Sequence, residues 1–556
     1  MRRIKRPLSL LLALMMIVAL VAACASDNQA DTPDQPTEPT ETVEATAPPV
    51  QGVVGDGPVE VPDDGPPRGG SFVLASGGEP VGPFGDPWDP TLGFNTVREP
   101  YGLFPIAQRP DGTPNFTITI PELMTTGFNP ENGWYYVEHT MKQNVYLHPH
   151  ILSDAEHIDA EHIVWQAHTS REHTPWTGGV QDVVQTGPYS FRVYFENERN
   201  PNVMTIPGGI LSSRLLYEEG GRDLLAAHPV SAGPFRVVNV VPGSHVHFER
   251  FDGFHIEGQP YLDEATIVWM TDHLVVEMAL QSTGDDRVDG FNTFGAEITG
   301  NMINRGFNVI SLRNNVISIV PGTNYPDDHP LRDINVLRAI SAAVDRDLIT
   351  QALGFGAWTP MYQFYAPGFR GHRTDPDWGV PRFDLEQARA YMAASNFPDG
   401  FETTFLPDGL VSDDVAEVIR QMLGEIGITG ELERLEMAAY TEMRTQLGWD
   451  GLLFTPFTNW FHAEQTASVG FEHIEGGTPA RIDVLNTDRM LELIRATEFF
   501  GDNSAEAYAF AEYIHENLYI IPLYGLGLNL ILNPRIQGWL PTDHMLFWNR
   551  LWEAYE

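Results

Sequence analysis

Six histidines within a 26-residue stretch form the densest group of side chains with metal-binding chemistry: His148, His150, His157, His162, His168 and His173. Imidazole nitrogens are good ligands for nickel, copper and zinc. His162 and His168 are six residues apart, whereas a metal-binding pair on one helix face needs a spacing of about four. His148 and His150 place both rings on one side only in an extended segment. The spacing therefore predicts structural or solvated histidines and no metal site.

Catalytic motifs are missing from the sequence. It contains no His-Glu-x-x-His, no Gly-x-Ser-x-Gly, no phosphate-binding loop and no Gly-x-Gly-x-x-Gly. The chemistry that stays open is acid–base catalysis by two of its 75 Asp and Glu residues, the arrangement that glycoside hydrolases use. We therefore expect a protein that is not an enzyme and holds no cofactor, and we keep a secreted glycoside hydrolase as an alternative.

Cys24 is the only cysteine among the 556 residues. Four basic residues stand near the start, and residues 8–23 are apolar apart from Ser9, which predicts a secretory signal peptide over 1–23. The run VAAC that ends at Cys24 resembles the lipobox of bacterial lipoproteins. That resemblance implies cleavage before Cys24, a lipid on its sulfur and new N-terminus, and anchoring at the outer face of the cytoplasmic membrane. An uncleaved anchor helix is the alternative.

The segment 24–67 is predicted to be a disordered, acidic tether. It holds ten acidic residues, no Lys or Arg and no aromatic residue, so it cannot bury enough apolar surface to offset the entropy of ordering. The net charge of the chain is −42, and −36 remains on residues 68–556 without the signal-peptide cations and the tether acids. Such a negative body argues against nucleic-acid binding. Its length suffices for two or three domains.

Residues 68–556 alternate strand-like and helix-like patterns. Strands are predicted at 134–146, 189–196, 237–248 and 265–270, where apolar residues alternate with polar ones. The apolar run 518–524 predicts a buried strand. Helical spacing of apolar residues predicts helices: 331–353, 384–394, 412–428, 487–499 and 504–517. Asp333 is placed to cap the first helix, and Asp384 with Gln387 has capping-box spacing at the second. The pattern predicts an α/β body.

Eight stretches, in this order, resemble the extracytoplasmic solute-binding proteins of ABC transporters, family 5, which includes oligopeptide, dipeptide and nickel binders. They span most of the predicted body: RGGSFVLASGGEP (68–80), HTMKQNVYLHPHILSDAEHIDAEHIVWQAH (139–168), SAGPFRVVNVVPGSHVHFERFDGFH (231–255), YLDEATIVWMTDHLVVEMALQSTGDDRVDG (261–290), DINVLRAISAAVDRDLI (333–349), RFDLEQARAYMAASNFPDGF (382–401), IRQMLGEIGI (419–428) and IIPLYGLGLNLILNPRIQGW (520–539).

The resemblance implies an α/β, periplasmic-binding-protein-like fold of class II: two lobes joined by a hinge, with an additional small domain. By analogy, lobe I comprises 68–115, 190–300 and 518–556, the small domain comprises 116–189, and lobe II comprises 301–517. A solute is expected in the cleft between the lobes, which closes by bending at the hinge.

One departure from the family concerns the ligand. Peptide-binding members carry an Asp after the central strand of the second lobe, where it meets the amino group of the peptide. The corresponding stretch DGLLFTPFTNWFHAEQTASVGF (450–471) has Asn459 and Trp460 near that place, and Glu464 is the nearest acid downstream. An aromatic ring beside an amide suits a sugar or another neutral ligand better than a free amine, because amides pair with hydroxyl groups.

Two further segments are predicted to contribute ligand contacts. The loop 82–95 is rich in Gly, Pro and aromatic residues, and loops of this kind commonly line clefts. The segment 356–367 clusters aromatic residues, and by resemblance it borders the cleft. The predicted ligand-binding residues are therefore Phe84, Trp88, Phe94, Trp358, Tyr362, Tyr365, Asn459, Trp460 and Glu464.

The sequence thus predicts a lipid-anchored substrate-binding protein of an ABC importer. It is expected to be monomeric, to capture an oligopeptide-like or oligosaccharide-like solute and to deliver it to a membrane permease with ATPase subunits. Its compartment is extracytoplasmic, either a periplasm or the open cell surface. A surface receptor or scaffold lipoprotein of the same fold, without transport, is the second alternative beside the hydrolase.

Overall fold

The computed structural model describes much of the chain beyond residue 64. Its ranges are 65–77, 79, 84–88, 98–103, 116, 119–173, 176, 180–196, 209–322, 325–326, 328–369, 371–434, 443, 449–459, 466–467, 488–496, 504–538 and 551–553. All of them belong to one compact unit, Val50–Glu556. The predicted signal peptide, Cys24 and nearly all of the acidic tether lie outside the described residues.

The described residues form these β-strands: β1 (Ser71–Ser76), β2 (Pro121–Asn129), β3 (Trp134–Met141), β4 (Val180–Gly187), β5 (Ser190–Phe195), β6 (Phe235–Val241), β7 (His245–Arg250), β8 (Glu264–Trp269), β9 (Gly290–Thr293), β10 (Asn308–Pro321), β11 (Thr359–Pro360), β12 (Phe401–Glu402), β13 (Phe405–Pro407), β14 (Ile428–Thr429), β15 (Leu452–Thr458), β16 (Ile521–Leu532), β17 (Ile536–Gln537) and β18 (Trp552–Glu553).

The helices of the described residues are α1 (Ala160–Arg171), α2 (Arg214–Ala227), α3 (His273–Gln281), α4 (Ala296–Asn304), α5 (Ile334–Ala343), α6 (Arg346–Leu353), α7 (Leu385–Ala394), α8 (Asp413–Gly424), α9 (Asp488–Ala496) and α10 (Ser504–Glu516). Most begin at an Asp or Ser whose side chain accepts a hydrogen bond from a backbone N–H of the first turn, as Asp384 does from Gln387. None of these helices is both long and apolar enough to cross a membrane.

One large sheet runs through both lobes. Its strand order is β13-β15-β10-β16-β9-β1-β8-β7-β6, and β11 also pairs with β16. The two longest strands, β10 and β16, cross from one lobe to the other. The ends of β16 show this: Leu532 packs in the core that holds β1, whereas Leu523 packs in the core that holds α5 and α8. These crossing strands join the lobes.

A separate four-stranded sheet, in the order β2-β3-β5-β4, forms the small domain together with α1. Its inner face packs against α1 through an apolar core that includes Val137, Val193 and Ile163. The boundary expected at residue 189 falls between β4 and β5, which form a hairpin, because β5 pairs with both β3 and β4. The domain boundaries as a whole stay a prediction.

Several predicted elements differ in extent from the structure. The expected strand 518–524 is β16, which begins at Ile521 and continues to Leu532. The expected helix 331–353 is two helices, because Asp345 caps α6 by accepting from Leu348 N and so interrupts the periodic pattern at Val344. The expected strand 237–248 is the hairpin of β6 and β7, which turns at Gly243 with a positive φ of 72°. The expected strand 134–146 ends at Met141.

Candidate functional site

The carboxyl ends of strands from both lobes converge on the middle of β16. In one lobe β1, β8 and β9 are parallel, and the last residue of β9, Thr293, pairs with Asn529. In the other lobe β13 and β15 are parallel; Thr458 at the end of β15 pairs with Asn315, whose partner on β16 is Leu526. Ligands of open α/β sheets bind in the crevice outside the carboxyl ends of the strands. The middle of β16 therefore marks the candidate site.

On the strands of the large sheet and beside β11, six residues have at least one buried side-chain polar atom without a hydrogen-bond partner in the part of the chain that the structure describes. We call them the junction set: Trp269, Asn292, Ser311, Trp358, Tyr524 and Asn529. All lie on β8, β9, β10 or β16, except Trp358, which directly precedes β11. Buried polar groups are nearly always paired in folded proteins. An unpaired group therefore marks strain or a place where a further molecule binds.

The junction set flanks β16 on both faces of the sheet. Asn292 is the register partner of Leu530, which packs in a core cluster of the first lobe. Asn529 precedes Leu530, and successive side chains of a strand point to opposite faces. On that second face the register partners of Asn529 are Ser311 and Thr293. Unpaired polar groups therefore face both sides of the strand that joins the lobes.

Trp358 and Tyr524 form a stacked pair within the junction set. Their ring centroids are 4.4 Å apart and the ring planes differ by 19°. The indole Nε1 of Trp358 and the hydroxyl of Tyr524 both lack a partner among the described residues. Burial raises the pKa of the Tyr524 hydroxyl, so it remains protonated at neutral pH. The pair therefore presents two hydrogen-bond donors, which suits an acceptor oxygen.

Phe84 and Trp88, predicted from the sequence as ligand contacts, pack inside lobe I. Phe84 lies in a core cluster, and its carbonyl oxygen accepts a hydrogen bond of 3.0 Å from the hydroxyl of Tyr101. Trp88 stacks on His173 with a centroid distance of 4.7 Å and packs against Leu216. These contacts account for the burial of both rings, and a ligand role for either residue stays a prediction.

Tyr362 and Tyr365 differ in their surroundings although only two residues lie between them. Tyr362 is half-buried: its hydroxyl donates to Asp347 at 3.2 Å, and the guanidinium of Arg382 lies 4.0 Å from its ring centroid. Tyr365 is buried against Phe364 in a core cluster of lobe II. Of the aromatic residues predicted in the segment 356–367, the structure thus places Trp358 in the junction set and Tyr365 in a core.

Asn459 uses its amide to hold backbone. Its Oδ1 accepts from Ala366 N at 2.6 Å, and its Nδ2 donates to Phe364 O at 3.4 Å, so it ties the end of β15 to the segment after β11. Phe94, Trp460 and Glu464 lie outside the described residues, as does Cys24. Sequence reasoning missed five members of the junction set. For Asn529 the sequence does hold a signal. Asn and Gly are depleted in strands, so an Asn that follows two glycines within an apolar strand indicates a special role.

The histidine-rich stretch makes hydrogen bonds to protein groups. His148 Nε2 lies 2.9 Å from Gly233 O, and His162 Nε2 lies 2.9 Å from Ser212 O. Burial lowers the pKa of His148 to about 4, so its imidazole is neutral at pH 7. Among the described residues, no group of three or more His, Cys, Asp and Glu side chains could hold a metal ion.

A buried carboxylate stands at the centre of this stretch. Four residues surround it or belong to it, and we call them the Glu156 cluster: Glu156, His150, His162 and Ser213. Glu156 Oε2 lies 2.9 Å from His150 Nε2, Oε1 lies 3.8 Å from His162 Nδ1, and the hydroxyl of Ser213 donates to Oε2. The amide of Arg214, at the start of α2, donates to Oε1 at 3.1 Å. The cluster thus joins the small domain to α2.

Comparison with family models places the chain. The model described as "Bacterial extracellular solute-binding proteins, family 5 Middle" matches residues 131–471, more than half of the chain. The chain belongs to this family. The resemblance drawn from the eight sequence stretches is therefore confirmed.

Curated relatives of the chain are named for the solutes they bind. The glutathione-binding protein GsiB of Salmonella paratyphi A is 24% identical over 240 residues, which cover 42% of this chain and 45% of that protein. The oligopeptide-binding protein AppA of Bacillus subtilis is 23% identical over 273 residues, 46% of this chain and 49% of that protein. The matches thus span about half the length of these relatives.

Solved structures show the same fold. HbpA2 from Haemophilus parasuis has a TM-score of 0.71 at 16% identity, covering 87% of this chain and 100% of that chain. DppA from Helicobacter pylori, in complex with the peptide STSA, has a TM-score of 0.68 at 16% identity, covering 88% and 99%. The expected α/β fold with two lobes, of the periplasmic-binding-protein kind, is confirmed.

Proposed function

We propose that this protein is the substrate-binding component of an ABC importer and captures a peptide or a related solute between its lobes. The observation that carries the proposal is the convergence of strand ends from both lobes on the middle of β16, surrounded by the junction set. A polar solute can form hydrogen bonds with the unpaired donors and acceptors at that point. The protein performs no chemistry on the solute.

The crossing strands supply the hinge for closure. The pairing of β10 with β16 is irregular at two places, between Leu312 and Asn315 and between Ile317 and Ser318. Such irregularities break the ladder locally and bend a strand. The first irregularity lies between Leu530, in the core of one lobe, and Leu526, in the core of the other. Bending there brings the strand ends of one lobe toward those of the other and encloses the solute.

Peptide and oligosaccharide both remain candidate solutes for this cleft. The relatives named for glutathione, oligopeptides and dipeptides favour peptides. The amide of Asn459, which suggested a neutral ligand in the sequence, is hydrogen-bonded to backbone and carries no weight for sugars.

Delivery follows from the predicted N-terminus. Lipid on Cys24 anchors the protein at the outer face of the cytoplasmic membrane, and the acidic tether lets the monomeric body reach its permease and the associated ATPase subunits. The closed form is the one that the permease recognises.

Thermal unfolding and small-angle X-ray scattering test the proposal together. The full chain is screened against peptides of two to five residues and against oligosaccharides of the same lengths. We expect at least one solute to raise the melting temperature by mass action and to reduce the radius of gyration by closing the lobes. If no solute does either, the chain does not serve uptake of these solutes, and a scaffold role takes its place.

A further inference from the structure

Asn529 is one of the described residues whose buried side chain has no satisfied polar atom. Only 1% of its surface is exposed, and neither Nδ2 nor Oδ1 has a hydrogen-bond partner. Its register partner Ser311 is 7% exposed, and its hydroxyl is also unpaired. Directly opposed side chains of antiparallel strands have Cβ atoms about 5 Å apart. Three unpaired polar atoms therefore lie next to each other on one face of the crossing strands.

The ladder neighbours of this pair whose side chains the structure describes are uncharged. Thr293 is the partner of Asn529 on the other side, and its hydroxyl accepts from Gly295 N at 2.8 Å. Along β16 the residues on the same face are Gly527 and Ile531. A carboxylate or an ammonium group placed here would meet no opposite charge on these ladder neighbours, and an unpaired buried charge is strongly unfavourable.

The chemistry of Asn529 selects among neutral groups. A carboxamide offers a donor and an acceptor in one plane, and both are satisfied at once by a second amide, which presents N–H and C=O in the same arrangement. A lone acceptor would leave Oδ1 unpaired, and a lone donor would leave Nδ2 unpaired. Ser311 adds a hydroxyl that can donate to the same carbonyl oxygen or accept from the same N–H.

We infer that Asn529 and Ser311 form a subsite that binds an uncharged amide of the solute, and so select peptide-like solutes with an internal or blocked amide. This inference rests on the proposed solute-binding function and identifies the class of solute. It assigns a specificity-determining role to two residues that contact the solute at the base of the cleft, where the two lobes are joined.

The stability of variants separates this role from a structural one. Replacing an unsatisfied buried amide by an apolar side chain of similar shape is neutral or stabilising, because no hydrogen bond is lost. We therefore expect Asn529→Leu to melt, without solute, at or above the wild-type temperature. If Asn529 instead holds a buried water that the fold needs, Asn529→Leu lowers the melting temperature by several degrees, and the inference is overturned.

Binding is measured by native mass spectrometry and calorimetry on the full chain. The probes are a mixed-sequence library of peptides with two to five residues, the same library with acetylated and amidated ends, and oligosaccharides of two to five units. We expect the wild type to retain affinity for blocked peptides. We expect Asn529→Leu to bind them at least about tenfold more weakly, the loss of one to two hydrogen bonds.

Two further variants complete the experiment. Ser311→Ala removes one hydroxyl, and we expect a loss of about three- to tenfold; it also serves if Asn529→Leu fails to fold. Asn239→Leu makes the same substitution on an exposed residue of the outermost strand β6 and should bind like the wild type.

Each remaining outcome is decisive. Equal affinity of wild type and Asn529→Leu for blocked peptides overturns the subsite while leaving the proposed function intact. Preference of the wild type for oligosaccharides, or for peptides with free ends only, overturns the amide assignment. Binding of neither peptides nor oligosaccharides removes the proposed function, and the inference falls with it.

Discussion

The Glu156 cluster and the junction set both bury polar side chains, and they differ in where the partners come from. In the Glu156 cluster, histidine, serine and the first amide of α2 all meet one carboxylate. In the junction set, six side chains have polar atoms that no described residue meets. The first arrangement holds the small domain to its neighbour. In the second arrangement the fold leaves hydrogen bonds unmade, and a bound solute can form them.

The largest effect should come from breaking the cluster. Glu156→Ala leaves His150, Ser213 and the start of α2 without their buried acceptor, which should lower the free energy of unfolding by about 3 kcal/mol. The measurement is urea unfolding followed by tryptophan fluorescence. Glu161→Ala is the matched control, since its exposed ion pair with Arg214 contributes about 1 kcal/mol or less. Equal effects of the two variants would refute the structural role of the cluster.

Tyr524→Phe should weaken solute binding and leave stability unchanged, the reverse of what is expected in the Glu156 cluster. It removes a buried hydroxyl that has no partner among the described residues, so stability should not fall, whereas solute affinity should fall about tenfold. Tyr101→Phe is the control: its hydroxyl donates to Phe84 O at 3.0 Å, and its loss should lower the free energy of unfolding by about 1 kcal/mol. Calorimetric binding and thermal unfolding of both variants check this. A destabilised Tyr524→Phe would contradict the contrast.

His139 is a buried residue of the small domain whose ring nitrogens have no hydrogen-bond partner among the described residues, and it gives a pH dependence. Burial lowers its pKa to about 3, while in the unfolded chain it titrates at its ordinary value of 6.5. Between these values the unfolded state binds more protons, so stability falls as the pH drops through that window, by up to about 1.4 kcal/mol per pH unit. In His139→Leu this contribution is absent, and its stability curve should be flatter below pH 6.5. Parallel curves for the two proteins would contradict the assignment.

The smallest effect is expected at Trp358. Trp358→Phe can keep the stack on Tyr524 but loses Nε1, so solute affinity should fall about threefold with little change in stability. Trp176→Phe is matched to it, because the Trp176 Nε1 donates to Ala167 O at 2.9 Å, and here stability should fall while affinity is kept. Melting temperatures and calorimetry separate the two. If Trp358→Phe lost stability and kept its solute affinity, Trp358 would have a structural role and no ligand role.

Local signals in the sequence predicted local structure well. Asp333 and Asp384 cap helices as their positions indicated, and alternation found β5. The same local logic was wrong at 331–353, where a continuous apolar stripe hid a second capping Asp. The family resemblance supplied what local signals could not, the two-lobed fold.

The candidate site was largely beyond the reach of the sequence. Asn529 meets Ser311 through a pairing of strands more than 200 residues apart, and nothing in periodicity or spacing fixes that register. Most of the residues chosen from the sequence were aromatic, and some of them, such as Phe84 and Tyr365, pack in a core. Buried polar atoms without a hydrogen-bond partner can be recognised only from the three-dimensional structure, which shows the neighbours of each atom.

The central claim is that a solute binds where the lobes join, and native mass spectrometry of the full chain, purified without a denaturing wash, tests it most directly. We predict a mass increment that is lost on partial unfolding and whose fragments are those of a peptide, reduced in Asn529→Leu but retained in Asn239→Leu. A chain that carries no increment, and that takes up neither peptides nor oligosaccharides when they are added, would contradict the claim.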